Sequence, residues 1–435
     1  MMQAVIMAGG KGTRLVALTK DEIPKPMVPV AGKPLLLWHV ERLKENGITD
    51  IIMVIGHLGN KIREYFGDGE KFGVAIRYFE ETEPLGTAGS FYYLKDMIHG
   101  DRFVMMSGDL FFDIDFQRMI HFHEEKGAVA TLFVHPNGHP FDSDLLVLDH
   151  DDKITAFDSK HNVRNYWYEN CVNAGIFVFE KKICDYVPEP VKRNLENDVI
   201  KGMLEAGEPI YGYCSPEYVK DVGTVERVNQ TLADIERGVI AGKCLKNKQR
   251  CIFMDRDGTI NQYKGLVYKG EDFTLEDCAV DAIRKINQSG RLGIVITNQP
   301  VVARGLCEIE DVENIHKKME TLLGKEGVFL DDVFYCPHHP DKGYPEENPA
   351  YKTPCECRKP KTGMIQKAAE RYNIDLAGSW MIGDTTMDIQ TGINAGMRTA
   401  LVQTGEAGND KKYDVKPDLV CRDLLDAVEK ILQVD

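Results

Sequence analysis

CIFMDRDGTIN, residues 251–261, decides how this chain divides. Four apolar residues run directly into Asp255 and Asp257, and Gly258 follows. A short apolar run ended by turn residues reads as a buried strand, and carboxylates just past it lie where open α/β sheets bind ligands. A carboxylate there can attack phosphorus while its neighbour, one turn away, moves protons. The same two aspartates and glycine also suit an Asx turn that merely ends a strand, so the partners elsewhere in the sequence have to decide.

Further apolar runs follow: LGIVI (292–296), DDVFYC (331–336), SWMIG (379–383) and RTALV (398–402). An independent series precedes them: AVIM (4–7), DIIMVIG (50–56), RFVMM (102–106), AVATLFV (128–134) and AGIFVF (174–179). Between its first two members, Leu36, Val40 and Leu43 recur at helical spacing and Gly47 supplies a stop. Both series alternate apolar runs with longer amphipathic stretches, which predicts two α/β domains, each a mostly parallel sheet with helices on both faces. The basic stretch ERGVIAGKCLKNKQR (236–250) separates them. The expected domains are therefore 1–238 and 250–435, joined by a linker at 239–249. A length of 435 residues is too great for one ordinary core and agrees with that division.

The composition, 43% hydrophobic and 28% charged, is that of a soluble globular protein. A net charge of -15 argues against a nucleic-acid surface, which needs clustered Lys and Arg, but leaves room for anionic small molecules in a locally cationic pocket. The first residues carry no basic leader and their apolar run breaks at Gly9, so neither a signal peptide nor a spanning helix is expected. The expected setting is the cytoplasm, with no membrane partner. The 11 cysteines are odd in number and mostly scattered, which disfavours a disulfide framework. Self-association into a homo-oligomer is left open.

After AVIM comes AGGKGTRL (8–15), where Gly9, Gly10 and Gly12 let a backbone approach a ligand, followed by Thr13 and Arg14. The loop satisfies neither the dinucleotide fingerprint nor the P-loop pattern. Lys25 stands between two prolines, a rigid mount for a charge aimed at phosphate. Asp109 follows a buried run and Asp221 precedes a glycine turn, a pair able to share Mg2+. Taken in order, this loop, PKPMVPVAGKPLL, EPLGTAGS (83–90), SGD, NAGIFVF (173–179) and DVGT (221–224) resemble the sugar-1-phosphate nucleotidylyltransferase family over about residues 1–238.

That resemblance implies a Rossmann-like domain in which a sugar-1-phosphate attacks the α-phosphorus of a nucleoside triphosphate. It implies that Arg14 and Lys25 neutralise the triphosphate, that Gly10, Gly86 and Thr87 lie along the nucleotide, and that Asp109 and Asp221 hold Mg2+. Asn173 and Gly175 would face the sugar, and Lys160 its phosphate. The sequence departs from the family at Val16–Thr19 and at DSKH (158–161), and the bulky stretch 162–171 is expected to reshape the sugar pocket.

In the second half IVITNQ supplies Thr297 and Asn298, CRKPKTG supplies Arg358 and Lys359, and MIGDTTMD supplies Asp384 and Asp388. Together with DRDGTIN these resemble the haloacid-dehalogenase phosphatases. The resemblance implies Asp255 as nucleophile, Asp257 as general acid and base, and Thr297 and Lys359 as phosphate ligands. Asp255, Asp384 and the Asp257 carbonyl would bind Mg2+. A Lys359→Ala variant is expected to lose turnover yet stay folded. Cys336, His338, Cys355 and Cys357, in the loop 336–357, form a donor set suited to a closed structural Zn2+ site, with His339 as the nearest rival ligand.

This zinc loop looks like that of the heptose bisphosphate phosphatases and related histidinol-phosphatases. PVV at 300–302 departs from the usual Ser-Gly-Ile, while Arg304 and Gly305 are kept. A transferase that consumes an anomeric phosphate needs a fused phosphatase that removes a different one. Heptose 1,7-bisphosphate has that property and histidinol phosphate does not. The expected function is therefore bifunctional synthesis of an NDP-heptose, with GTP favoured over other nucleoside triphosphates because the EPLGTAG segment resembles that of the mannose- and heptose-1-phosphate guanylyltransferases. The alternatives are a mannose-1-phosphate guanylyltransferase fused to a phosphatase of another substrate, or one silent, regulatory half.

Overall fold

The computed structural model describes residues 2–10, 15–20, 22–341, 343 and 346–434. It divides into two compact units. One holds 1–135, 146–158 and 173–244; the other holds 136–145, 159–172 and 245–435. Gly12, Thr13 and Arg14 lie outside the described residues.

Besides the two-residue antiparallel pair Pro29–Val30 and Lys33–Pro34, the strands of the first unit are β1 (Gln3–Met7), β2 (Asp50–Ile55), β3 (Ala75–Glu80), β4 (Arg102–Ser107), β5 (Leu110–Asp113), β6 (Ala130–His135), β7 (Leu145–Leu148), β8 (Ile154–Asp158), β9 (Val172–Glu180), β10 (Ile210–Cys214) and β11 (Tyr218–Asp221). The main sheet runs β8-β7-β9-β4-β1-β2-β3, with β6 and β10 extending from β9. The pairs β1–β2, β1–β4, β2–β3 and β6–β10 are parallel, while β9 runs antiparallel to β4. β5 and β11 form a separate antiparallel pair.

Side chains alternate across this sheet as a period of two requires. Ala4, Ile6, Ile51, Met53, Val104 and Met106 face one cluster with Leu36, Val40 and Leu43 of the helix Leu35–Glu45. On the opposite face Phe91 of the helix Phe91–Met97 packs edge-on against Phe103 and Phe179. A one-residue slip of register would turn each strand's apolar set outward, so the buried pattern specifies the pairing.

The second unit holds β12 (Cys251–Met254), β13 (Leu292–Asn298), β14 (Asp332–Cys336), β15 (Trp380–Gly383), β16 (Arg398–Val402) and β17 (Leu419–Cys421). Their order is β14-β13-β12-β15-β16-β17, parallel throughout. Two clusters cover its faces. Ile252, Met254 and Ile382 pack with Ile283, Ile286 and Met319, whereas Cys251, Phe253 and Ile294 pack with Met364, Ile365 and Ala368. Burying each such large side chain contributes about 1.5–3 kcal/mol, which is why the helices settle on both faces.

The stretch 239–249, read from the sequence as a linker, begins with the short helix Val239–Lys243, whose Ile240 joins a cluster of the first unit. Leu245 joins a cluster of the second. Residues 159–172, which include the stretch 162–171 read as reshaping a sugar pocket, are taken up by the second unit. There the Thr321 hydroxyl accepts from the N–H and donates to the C=O of Tyr168, and the ammonium groups of Lys318 and Lys325 lie 5.5 and 5.6 Å from the Trp167 ring centroid. Among the described residues no helix is long and apolar enough to cross a membrane.

Candidate active sites

Both candidate sites form where parallel strands end. In the first unit Asp109 follows β4, and the N–H of Gly108 donates to the Met7 carbonyl at 2.8 Å, so the two strand ends meet. A Cβ at Gly108 would lie 2.9 Å from that carbonyl, which explains the glycine. Asp221 arrives from far along the chain because β11 pairs with β5, and the Val222 N–H donates to the Asp109 carbonyl at 3.0 Å.

Lys25 joins them. Its ammonium donates to Asp109 Oδ2 and stands 3.6 Å from Asp221 Oδ1. Ser107 Oγ donates to Asp109 Oδ1 at 2.6 Å, and Arg227 Nη1 donates to Asp221 Oδ2 at 2.6 Å. Burial is the largest single influence and pushes the Asp109 carboxyl up, but the Lys25 charge together with hydrogen bonds from Lys25, Ser107 and the backbone holds the group below its ordinary value. Two carboxylates gathered around one ammonium are hard oxygen donors of the kind Mg2+ takes.

Gly86 has φ of 77°, and a Cβ there would lie 2.3 Å from the Arg193 carbonyl oxygen. Thr87 Oγ1 accepts from the Leu195 N–H at 2.7 Å, and Asn173 Oδ1 accepts from the Gly175 N–H at 3.2 Å. Gly10 is exposed with open space where a Cβ would be. Lys160 is exposed and belongs to the second unit; its N–H donates to Asp144.

One residue escaped the sequence reading. Glu81 follows β3, and its Oε1 is buried with no hydrogen-bond partner. Burial pushes its carboxyl up, against a bond from the Leu85 backbone. A Cβ on Gly9 would lie 2.8 Å from Glu81 Oε2, so that glycine gives the carboxylate its space. The available signal was an acid directly after an apolar strand and just before EPLGTAG.

In the second unit β12 delivers Asp255, whose N–H donates to the Ile382 carbonyl, and β15 delivers Asp384. Lys359 lies between Asp255 Oδ1, at 2.7 Å, and Asp388 Oδ1, with a side chain only 3% exposed. Asn298 fixes the lysine's backbone by accepting from its N–H at 3.0 Å. Asp388 also belongs to a capping box, in which its carboxylate accepts from the Thr385 N–H and hydroxyl at the start of the helix Thr386–Asn394. That local cap aims Asp388 at Lys359.

Asp255, Asp384 and Asp388 offer oxygens within 4.8 Å of one another, all buried. Burial first, then the Lys359 charge in opposition and the nearby carboxylates in support, push Asp255 up to about 6. Burial, Asp388 and Asp255 push Asp384 up to about 8. Asp384 Oδ1 is buried without a hydrogen-bond partner, while Oδ2 accepts from the Glu406 N–H at 2.7 Å. An orphaned oxygen among crowded carboxylates with one ammonium fits a hard dication.

Thr297 Oγ1 accepts from Gln299 Nε2 at 2.9 Å. Arg358 Nη1 donates to the His338 carbonyl at 3.1 Å, tying the Cys/His loop to the residue beside Lys359. In that loop Cys336 Sγ lies 3.5 Å from Cys355 Sγ and 3.1 Å from Cys357 Sγ, and Cys357 Sγ lies 3.4 Å from His338 Nδ1. His339 turns elsewhere, its Nδ1 accepting from the Asp341 N–H. All four ligand atoms of Cys336, His338, Cys355 and Cys357 lie within 4.8 Å of one another.

These two sites on two doubly covered sheets define a nucleotidyltransferase joined to a phosphatase of haloacid-dehalogenase type. The nucleotidyl transferase family model matches residues 3–238, and the chain belongs to that family. A model described as HAD-hydrolase-like matches residues 356–427. The chain is 33% identical over 261 residues to the UTP–glucose-1-phosphate uridylyltransferase of Synechocystis sp., spanning 57% of this chain and 66% of that one. It is 32% identical over 246 residues to the mannose-1-phosphate guanylyltransferase of Mycobacterium tuberculosis, spanning 56% and 67%. Over 182 residues it is 37% identical to the D-glycero-beta-D-manno-heptose-1,7-bisphosphate 7-phosphatase of Haemophilus ducreyi, spanning 41% and 97%.

Proposed function

We propose that the chain carries out two consecutive steps towards GDP-D-glycero-D-manno-heptose. The second unit removes the 7-phosphate of heptose 1,7-bisphosphate, and the first joins the resulting heptose 1-phosphate to GMP drawn from GTP, releasing pyrophosphate. The observation that carries this reading is the presence, in one chain, of a transferase site and of a phosphatase that matches nearly all of a heptose bisphosphate 7-phosphatase. Such a phosphatase spares the anomeric phosphate that the transferase needs. Incubation with heptose 1,7-bisphosphate, GTP and Mg2+, following phosphate, pyrophosphate and GDP-heptose together, tests it. If no phosphate appears, the heptose assignment is wrong.

In the phosphatase step Asp255 attacks phosphorus and forms an aspartyl-phosphate. Asp257 protonates the departing sugar oxygen and then takes a proton from the water that hydrolyses the phosphoenzyme. Lys359 and the Thr297 hydroxyl neutralise and hold the transferred group. Mg2+, held by Asp255, Asp384 and the Asp257 carbonyl, would supply the positive charge that lets phosphate approach a carboxylate. In the transferase step Lys25 neutralises the triphosphate, Asp109 and Asp221 would hold Mg2+, and Asn173 and Gly175 orient the sugar, whose phosphate oxygen attacks the α-phosphorus in line as pyrophosphate leaves.

The crowded acids give the metal a pH signature. Asp255 and Asp384 hold protons in the folded state that the unfolded chain has already lost, between the ordinary value of 3.8 and about 8. The metal-free fold therefore loses stability as pH rises through that window. Mg2+ binds the ionised form, so its stabilisation grows with pH. Calorimetry should show a larger rise in Tm on adding Mg2+ at about pH 8 than at about pH 5.5. An equal rise at both would count against the carboxylate set as its site.

Glu81 supports the choice of base. Guanine presents two adjacent donors, N1–H and N2–H2, to a carboxylate, which has only acceptors. Uracil offers one N–H flanked by carbonyls that a carboxylate would repel. Glu81→Gln is expected to cut kcat/KM for GTP by about 10-fold or more while changing that for UTP far less, narrowing the ratio between them. Pyrophosphate release with each nucleotide measures this, and an unchanged ratio removes Glu81 from base reading.

For the loop 336–357 the ligand chemistry, three thiols and one imidazole, supports structural Zn2+. About one zinc per chain should be found by elemental analysis, and Cys355→Ser should lose it. Zinc that stayed bound in that variant would contradict the assignment. The odd number of mostly scattered cysteines, 11 in all, also supports a cytoplasmic setting.

A further inference from the structure

At the second site the Asp257 carboxylate accepts five side-chain hydrogen bonds. Its Oδ1 accepts from Arg256 Nε at 3.2 Å, Arg256 Nη2 at 2.9 Å and Asn261 Nδ2 at 3.1 Å. Its Oδ2 accepts from Arg256 Nη2 at 2.9 Å and Gln299 Nε2 at 2.8 Å. The same Gln299 amide reaches Thr297 Oγ1, so the carboxyl that moves protons is tied to the hydroxyl that holds phosphate.

The guanidinium that directs this arrangement is itself completely buried. Its direction is set by two acceptors: Gln299 Oε1, 3.1 Å from Nη2, and His316 Nε2, 3.2 Å from Nη1. His316 comes from the helix Ile309–Lys325 and is buried, its ring 5.1 Å from that of Tyr335. A guanidinium only donates, so His316 Nε2 must present its lone pair and the ring proton must sit on Nδ1. The neutral ring is favoured by burial and by the cation beside it.

We propose that His316 is a positioning residue for the phosphatase reaction: by accepting from Arg256 Nη1 it fixes the guanidinium fork that aims the Asp257 carboxyl at the oxygen of the leaving group. The proposal rests on the phosphatase reading of the second site. Without this acceptor a buried N–H of Arg256 loses its partner, and the fork turns to find another. Asp257 then delivers its proton along a poorer line. The loss falls on esters whose leaving oxygen needs a proton and spares those that depart as stable anions.

The test is kcat/KM of the full chain with Mg2+ for a series of substituted phenyl phosphates, from phenyl to p-nitrophenyl, with an alkyl phosphate added. This parameter covers the steps up to departure of the alcohol and excludes phosphoenzyme hydrolysis. General acid catalysis contributes about 10²–10⁴-fold, so partial misalignment in His316→Phe is expected to cost about 10-fold for the alkyl ester. The loss should shrink towards p-nitrophenyl phosphate, steepening the dependence on leaving-group basicity. His316→Asn, which keeps the site polar but falls short of Arg256, should steepen it likewise, and His316→Gln, whose amide oxygen replaces Nε2, should restore the original slope. An unchanged slope in the Phe and Asn variants, or one equally steep in the Gln variant, overturns the proposal. Failure of the unsubstituted protein to release phosphate from any of the esters would instead overturn the phosphatase reading.

Discussion

Asp255→Asn is expected to stop phosphate release, lowering it by roughly 10⁴-fold or more, because no other group at the site can take the place of a covalent nucleophile. The amide has nearly the shape of the carboxylate, so the packing beneath it survives. It also removes one charge from a buried cluster in which Asp255 is already pushed up to about 6. The metal-free variant should therefore unfold at no lower temperature than the parent. Formation of sugar nucleotide from supplied sugar 1-phosphate should stay within about twofold, as expected for independent sites. Phosphate, pyrophosphate and Tm measured on one preparation check all three. Retention of phosphate release would remove Asp255 as nucleophile.

Lys359 provides a contrast. Between two buried carboxylates, its truncation to Ala leaves charges unpaired, a loss of about 3–5 kcal/mol for a buried pair. The expectation that such a variant simply stays folded is therefore set against its burial, and Asp255→Asn is the cleaner test.

The second large effect belongs to Lys25. Lys25→Met should lower nucleotidyl transfer by roughly 10²–10³-fold, the usual loss when one charge-stabilising donor is removed. The substitution keeps most of the length of the side chain but leaves Asp109 and Asp221 without the cation they share. The dependence on Mg2+ should change with it, since the two carboxylates then lose the cation they share, while Arg227 still pairs with Asp221. Phosphate release from a sugar bisphosphate should continue. Pyrophosphate and phosphate assays on the same variant decide: equal loss of both would mean that the two activities do not have separate active sites.

Much of this architecture was legible because buried strands are short apolar runs. CIFM and RTALV are strands over the same residues, and the other runs differ by one to three residues at their ends. Asp255 and Asp384 were legible because each directly follows such a run, and Asp109 because only Ser107 and Gly108 separate it from one. Asp388 was noticed, but its grip on Lys359 was not, since it depends on a helix cap that turns the side chain inward. Glu81 and His316 gave weaker signals. A single acid after a strand, or a histidine on a helix, usually means nothing until its neighbours in space are known.

The amino-acid sequence by itself determined that this protein is two α/β units, with the strand-end pair Asp255 and Asp257 opening the second, because apolar periodicity and strand-end residues are local properties. Tertiary structure alone decided which distant groups meet. Antiparallel pairing of β5 with β11 brings Asp221 to Asp109, and the packed helix Ile309–Lys325 brings His316 to Arg256. It also assigned residues 159–172 to the second unit, where Thr321 satisfies their backbone. These contacts join residues far apart in the chain, and their energy comes from burial and hydrogen bonding after folding, so no local pattern records them.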